Sequence, residues 1–297
     1  MSGPGDFDAF WRGRRATAAL VDPCPRVGGV VEERDGFRIH EVSYATPGGR
    51  CGALLALPSE GVARRGFVVG HGYGGRHEAG ADLPLPLPGS AAILPCAPGL
   101  PAFGNRPGVP SDPDGHVLHG IASRDTYLIG DCVAGLWGAA SALLELAPSL
   151  DGDRLGYLGE SFGGGIGALA LPWDDRFAAA RLTVPTFGNH PLRLTLPCTG
   201  SGESVRTHVR RHPEAVEVLA YFDAATAAAR LRIPVLTACA LSDPAVPPPG
   251  QFAVYNSLAG PRRLEVLEAG HIPYPGEAAE RRRLGRATEE FFGRWLE

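Results

Sequence analysis

The run Tyr157-Leu158-Gly159-Glu160-Ser161-Phe162-Gly163-Gly164-Gly165 leaves the backbone few solutions. A buried-strand pattern, Arg154 to Gly159, enters it, and a small-residue run, Ile166 to Leu171, leaves it and stops at Pro172. The reading is strand, sharp turn, helix. Gly159 and Gly163 stand two before and two after the serine, where such a turn has no room for bulk. The serine is then held in a strained conformation with its hydroxyl pointing out of the sheet. The N–H of Phe162 faces the same point and can stabilise an oxyanion. Glycine makes up 41 of 297 residues, so Gly-x-Ser-x-Gly alone would arise by chance in roughly one in four such chains. The strand-to-helix junction around it carries the argument.

That turn is the nucleophile elbow of an α/β-hydrolase, and the rest of the chain supplies a sheet for it. Asp8-Ala9-Phe10-Trp11-Arg12 opens an amphipathic helix. Phe37 to Thr46 alternates apolar and polar, and Pro47-Gly48-Gly49 joins it to a second strand, Arg50 to Leu57, as a hairpin. Gly66 to Gly70 and Ala91 to Leu94 are continuous apolar runs, as suits parallel strands covered on both faces. Asp125 to Leu146 reads as a long helix, Ala178 to Val184 as a strand, Asp223 to Arg230 as a helix. Strands at Pro234 to Ala240 and Arg263 to Leu267 follow, then a final helix from Glu277 to Trp295. The expected fold is α/β: one domain over 1–297, a doubly wound, mostly parallel sheet with helices on both faces. Residues 186–213, rich in Pro, Gly, Thr and His and without a clean period, are expected to form an inserted cap or lid. Leu83-Pro84-Leu85-Pro86-Leu87-Pro88 reads as a loop.

Bulk properties exclude several classes. A net charge of −4 implies no surface for nucleic acid. All basic residues are arginine, a composition bias rather than chemistry. Six cysteines, Cys24, Cys51, Cys96, Cys132, Cys198 and Cys239, are scattered without a Cys-x-x-Cys, so free buried thiols are expected and no structural metal. The opening Met1 to Asp6 has no basic or apolar targeting pattern, and no apolar run reaches membrane-spanning length. A cytoplasmic enzyme without cofactor or membrane partner is the expectation.

A serine is a weak nucleophile without a base and an orienting carboxylate. In this fold the partners follow in the order Ser, Asp or Glu, His, each after a strand. The strand Pro234 to Ala240 runs into Leu241-Ser242-Asp243-Pro244, and Arg263 to Leu267 into Glu268-Ala269-Gly270-His271. Asp243 and His271 therefore join Ser161 as the catalytic candidates, although Asp243 could instead cap a helix begun near Pro247. His116 and His119 come too early in the chain, and Glu160 is read as solvated. The loop His71-Gly72-Tyr73-Gly74-Gly75 follows a strand, and the Tyr73 N–H is assigned as the second oxyanion donor beside Phe162. Each such donor contributes about 10²–10³ in turnover. The glycines at 163–167 do not make a dinucleotide loop, since no acidic residue ends a following strand at the needed spacing. Cys96 follows a strand without a readable histidine partner and is taken as a buried thiol.

Together these residues resemble the acetyl xylan esterase and cephalosporin C deacetylase family (carbohydrate esterase family 7), over most of the chain. The segments that carry the resemblance are Asp6 to Trp11, His71 to Gly75, His119-Gly120-Ile121 with Tyr127, Gly159 to Gly164, Tyr221-Phe222-Asp223-Ala224, Leu241-Ser242-Asp243 with Pro247-Pro248 and Tyr255-Asn256, and Gly270-His271. The resemblance implies metal-free removal of small acyl groups, chiefly acetyl, from sugars or similar alcohols. It also implies a homo-oligomer, commonly a doughnut-shaped hexamer with inward-facing sites. Two departures stand out. Cys96-Ala97-Pro98-Gly99-Leu100 replaces an Arg-Gly-Gln signature, and Phe162 replaces glutamine after the serine. The crossover from Arg76 to Ser90 is short and rich in proline.

The expectation is a serine carboxylester hydrolase acting through an acyl-enzyme on a small acylated substrate. Other readings are a peptidase, a thioesterase, an acyltransferase of specialised metabolism, or a non-catalytic binding protein on the same fold.

Overall fold

The computed structural model describes residues 3–101 and 103–296. Its centre is one nine-stranded sheet: β1 (Arg26–Arg34), β2 (Phe37–Thr46), β3 (Gly49–Pro58), β4 (Arg65–Gly70), β5 (Ser90–Pro95), β6 (Leu155–Glu160), β7 (Phe177–Thr183), β8 (Val235–Ser242) and β9 (Arg262–Ala269). The spatial order is β1-β2-β3-β5-β4-β6-β7-β8-β9. The first three strands form an antiparallel meander that joins β5 antiparallel; from β5 to β9 all pairings are parallel. From β4 the chain steps to β5 on one side, then returns to place β6 on the other. The gap between the ends of β4 and β6 is thus a topological switch point, where open α/β sheets leave a crevice for ligands.

The hairpin predicted at residues 37–57 is present, with its turn residues opposed as Thr46 against Gly49. β1 was not anticipated. It pairs with β2 at an outer edge, its register shifts beside Gly28 and Gly29, and most of its residues are exposed. With no buried face, its sequence carries no alternation to detect. The helix expected from Asp125 begins at Ile129, because residues 123–128 are used in tighter turns that bury Tyr127. This Ile129–Leu146 helix is by length and composition alone long and apolar enough to cross a membrane, contrary to the sequence expectation. Most of it is buried under the sheet, where it acts as a core helix.

One face of the sheet is covered by the helices Phe7–Ala19, Ile129–Leu146, Phe162–Ala170 and Ala224–Ala228. Trp11 plugs the N-terminal helix into this core, is fully buried, and donates its indole N–H to the Tyr221 carbonyl at 2.9 Å. The other face is covered by the C-terminal helix Glu277–Leu296 and by the proline-rich crossover. In that crossover Leu83, Leu85 and Leu87 are buried while Pro84 and Pro88 are exposed. An extended chain sends alternate side chains to opposite sides, so three leucines at spacing two seal the face where a helix would otherwise lie.

Residues 186–213 hold two helices, His190–Arg193 and Ser201–Arg211, despite the irregular sequence. Left-handed Asn189 caps the first, its side chain accepting the Leu192 N–H at 3.2 Å. The second buries Gly202 and Val205 and is tied down by Ser204 Oγ donating to Asp114 Oδ1 at 2.7 Å. The Thr199 N–H donates to the Pro244 carbonyl at 2.8 Å, which joins this segment to the loop carrying Asp243.

Of the six cysteines, Cys51, Cys96, Cys132 and Cys239 are buried as expected. Cys198 is half-buried and Cys24 is exposed, a departure that follows from Cys24 lying in the polar link between the first helix and β1.

Candidate active site

Ser161 sits between β6 and the helix Phe162–Ala170 at φ 54°, ψ −111°. This is a sparsely populated region for a side-chain-bearing residue and costs on the order of 1–3 kcal/mol. Surrounding hydrogen bonds enforce it. The Ser161 N–H donates to the Thr183 carbonyl at 2.8 Å, and the Ser161 carbonyl accepts from Gly165 and Thr186, each at 3.1 Å. The Gly163 N–H donates to the His71 carbonyl at 2.9 Å, which ties the elbow to the loop after β4. A Cβ on Gly163 would lie 2.7 Å from the Gly70 carbonyl carbon and 3.0 Å from the His71 oxygen. Both contacts are backbone and cannot give way. Gly163→Ala is therefore expected to cost about 1–3 kcal/mol or more by overpacking and to open the two loops apart. A melting curve with no drop in Tm would contradict this.

His271 Nε2 stands 2.9 Å from Ser161 Oγ, and His271 Nδ1 stands 2.8 Å from Asp243 Oδ2. The three residues that sequence order selected thus form one unbroken chain of hydrogen bonds. Asp243 does not cap a helix, since the following helix, Pro248–Ser257, starts later. Instead its Oδ1 accepts the N–H groups of Ala245 and Val246, both at 2.9 Å, and its Oδ2 accepts from Gln251 Nε2 at 3.1 Å as well as from His271. Four donors occupy the four lone-pair positions of a carboxylate, and the side chain is wholly buried. An anion so solvated by the protein stays put. His271 is held at φ 56°, and a Cβ on the preceding Gly270 would strike the Asp243 carboxylate.

Gln251 was not found by sequence reasoning. It is fully buried, donates to Val246 O at 2.7 Å as well as to Asp243, and accepts the Ala240 N–H at 2.8 Å. An amide eight residues beyond the aspartate belongs to no motif, and only the turn back of the helix over the strand end brings it in.

Tyr73 and Phe162, whose N–H groups were assigned to the oxyanion hole, are neighbours, with ring centroids 4.4 Å apart. The Phe162 N–H belongs to the first turn of its helix, where no intrahelical acceptor exists. The loop bearing Tyr73 is clamped at both ends. At one end, buried His71 accepts the Ala97 N–H on Nε2 at 2.9 Å and faces the Gly72 carbonyl through Nδ1 at 2.5 Å. At the other, buried Arg76 donates to the Val69 carbonyl at 3.0 Å and pairs with Asp82, and its N–H donates to the Pro101 carbonyl at 2.8 Å. Burial first, then the charge of Arg76, pushes His71 down to about 3. His71 is therefore a neutral strut, not a second base. His116 lies under Tyr73 and is likewise pushed down by burial, to about 4. Cys96 is a buried thiol whose S–H reaches the Pro101 carbonyl at 3.3 Å, and Glu160 is exposed as read.

Among the described residues no group of His, Cys, Asp and Glu could hold a metal ion. The arrangement can transfer an acyl group: a serine hydroxyl, an imidazole and a buried carboxylate are hydrogen-bonded in line at the switch point.

The acetyl xylan esterase (AXE1) family profile matches residues 1–284. The chain belongs to that family. Its members and this chain share the α/β-hydrolase fold of serine ester hydrolases. An acetyl xylan esterase from Paenibacillus sp. R4 superposes with a TM-score of 0.84 at 23% identity, covering 97% of this chain and 96% of that one. Acetyl xylan esterase 1 from Thermoanaerobacterium sp. JW/SL YS485 gives 0.83 at 21% identity over the same shares. The acetyl esterase Axe7A of Xylanibacter ruminicola is 26% identical over 149 residues, half of this chain. That match spans about a third of the relative's length, 34%. In this chain the segment Cys96 to Leu100 has a structural task. Ala97 and Pro98 hydrogen-bond to His71 and His116, so it braces the loop that carries Tyr73.

Proposed function

We propose that this protein removes acetyl and similarly small acyl groups from hydroxylated alcohols, sugars foremost, through a covalent acyl-enzyme. The observation that carries the reading is the continuous Ser161–His271–Asp243 chain at a strained elbow. Ser161 Oγ attacks the ester carbonyl while His271 Nε2 takes its proton. The tetrahedral oxyanion lies between the N–H groups of Phe162 and Tyr73. His271 then gives the proton to the departing alcohol, and a water repeats the sequence to release the acid. Asp243 keeps the Nδ1 proton in place and stabilises the imidazolium.

Preference for a short acyl group is supported by the aromatic side chains packed around the elbow. Phe162, which follows the serine in the chain, has the Tyr73 ring tilted against it at 4.4 Å and the Phe187 ring edge-on to it at 6.0 Å. Residues 186–213, anchored to the Asp243 loop through Pro244, are read as the cap over the substrate. Acetylated sugars and the acetyl ester of cephalosporin C are the natural compounds to try. A homo-oligomer is supported by the exposed edge strand β1, with Val27, Val30 and Val31 uncovered.

The test is hydrolysis of 4-nitrophenyl acetate, butyrate and octanoate. Acetate is expected to be the best of the three; equal rates on octanoate would remove the small-acyl reading. A pH profile tests the base. The hydrogen bond that its Nδ1–H donates to Asp243, ahead of the opposing desolvation, raises His271 above its ordinary value of 6.5. The base must be neutral to accept the serine proton, so kcat/KM falls as pH drops through that raised value. The acid limb is expected to have its midpoint above 6.5, and a flat profile from about pH 5 to 8 would exclude His271 as the base.

A further inference from the structure

His116 comes too early in the chain to be the triad base, yet it is fully buried beside the site. Its two ring nitrogens are spoken for. Nε2 lies 2.9 Å from the Pro98 carbonyl, and Nδ1 lies 3.0 Å from the Tyr73 hydroxyl. A carbonyl only accepts, so the ring proton is on Nε2 and the bare Nδ1 accepts the Tyr73 O–H. The Tyr73 ring meets His116 edge-on at 5.4 Å and leans on Phe162 at 4.4 Å. The tyrosine side chain is therefore pinned at its far end by a hydrogen bond and along its face by the residue that follows the nucleophile. Its main-chain N–H belongs to a loop with glycines at 72, 74 and 75, which has little stiffness of its own.

We propose that His116 is a positioning residue for ester hydrolysis: acting through the Tyr73 hydroxyl, it holds the Tyr73 N–H aimed at the developing oxyanion. The line of support runs from Pro98, in the segment that replaces the Arg-Gly-Gln signature, through His116 and the Tyr73 ring to the reacting oxygen. The neutral, buried state of His116 suits this task, because a second ring proton would face the hydroxyl's own. The inference rests on the esterase reading above, which wild-type hydrolysis of 4-nitrophenyl acetate tests separately.

The experiment is a double-mutant cycle of Tyr73→Phe and His116→Leu on the full chain. It reads kcat and KM for 4-nitrophenyl acetate and the inhibition constant of an acetyl-sized trifluoromethyl ketone, whose adduct with the serine places an oxyanion in the hole. Tyr73→Phe keeps the ring and the N–H and removes only the hydroxyl. Each single change is expected to lower kcat by about tenfold, a fraction of what a whole donor supplies, with KM unchanged and the ketone weakened by the same factor. The double variant is expected to be no worse than either single one, since both break one link. A Tyr73→Phe enzyme with kcat and ketone affinity at the wild-type level overturns the proposal, as does an additive double variant or a loss confined to KM. If His116→Leu does not fold, the Tyr73→Phe comparison of kcat, KM and ketone affinity decides alone.

Discussion

Ser161→Ala is expected to lower kcat on 4-nitrophenyl acetate by about 10⁶-fold, the scale seen when a serine nucleophile working with a histidine is removed. The fold should survive. The backbone at residue 161 is held by the Thr183, Gly165 and Thr186 hydrogen bonds, none of which involves Oγ. The hydroxyl's partner is His271, so removing it leaves a partly exposed imidazole free to meet water. Circular dichroism and Tm should match the wild type while turnover disappears. A variant keeping a tenth of wild-type kcat would place the nucleophile elsewhere.

Asp243→Asn is expected to cost about 10⁴ in kcat, through the wrong histidine tautomer. The structure dictates which way the amide must turn. Oδ1 accepts two backbone N–H groups, from Ala245 and Val246, so the asparagine must keep its oxygen there. Its NH₂ then takes the place of Oδ2, facing His271 Nδ1 and the Gln251 NH₂. Imidazole can answer a donor only with a lone pair on Nδ1. That moves its proton to Nε2, which can no longer accept from Ser161. Asp243→Glu would keep the charge but displace it, and should lose activity without this tautomer signature. A downfield proton resonance from the His271 Nδ1–H, present in the wild type and absent in Asp243→Asn, would report the switch directly. If Asp243→Asn retained more than about a hundredth of wild-type kcat at neutral pH, the carboxylate would not be the orienting group.

Much of the site was legible because its geometry is local or follows a rule of order. The elbow can be read at Gly159 and Gly163 because a tight turn excludes side chains. Asp243 and His271 can be read because each lies just past a strand, and parallel strands deliver all their C-terminal ends to one edge. The inner parallel strands β4, β5 and β6 were legible because strands covered on both faces are apolar nearly throughout. The Ser201–Arg211 helix was less legible, since it rests on the body through only a few residues and shows little apolar stripe. β1 carried no signal, having no face to bury.

The braces were out of reach. His71 and His116 act on groups distant in the chain, at Ala97 and Tyr73, while Gln251 reaches Asp243 only through the turn back of its helix, and polar residues of these types carry no pattern of their own. What makes them parts of the site is that each is buried with every hydrogen bond aimed, a property of the assembled fold. The sequence by itself determined the elbow at Ser161, the placing of Asp243 and His271 at the same sheet edge and the layered fold, because backbone sterics and strand order act along the chain. Only the tertiary structure decided how the oxyanion loop is held, because the burial that makes His71 and His116 neutral, and the 3.0 Å contact that turns His116 toward Tyr73, exist only once β4, β5 and the residues before the long core helix have packed together.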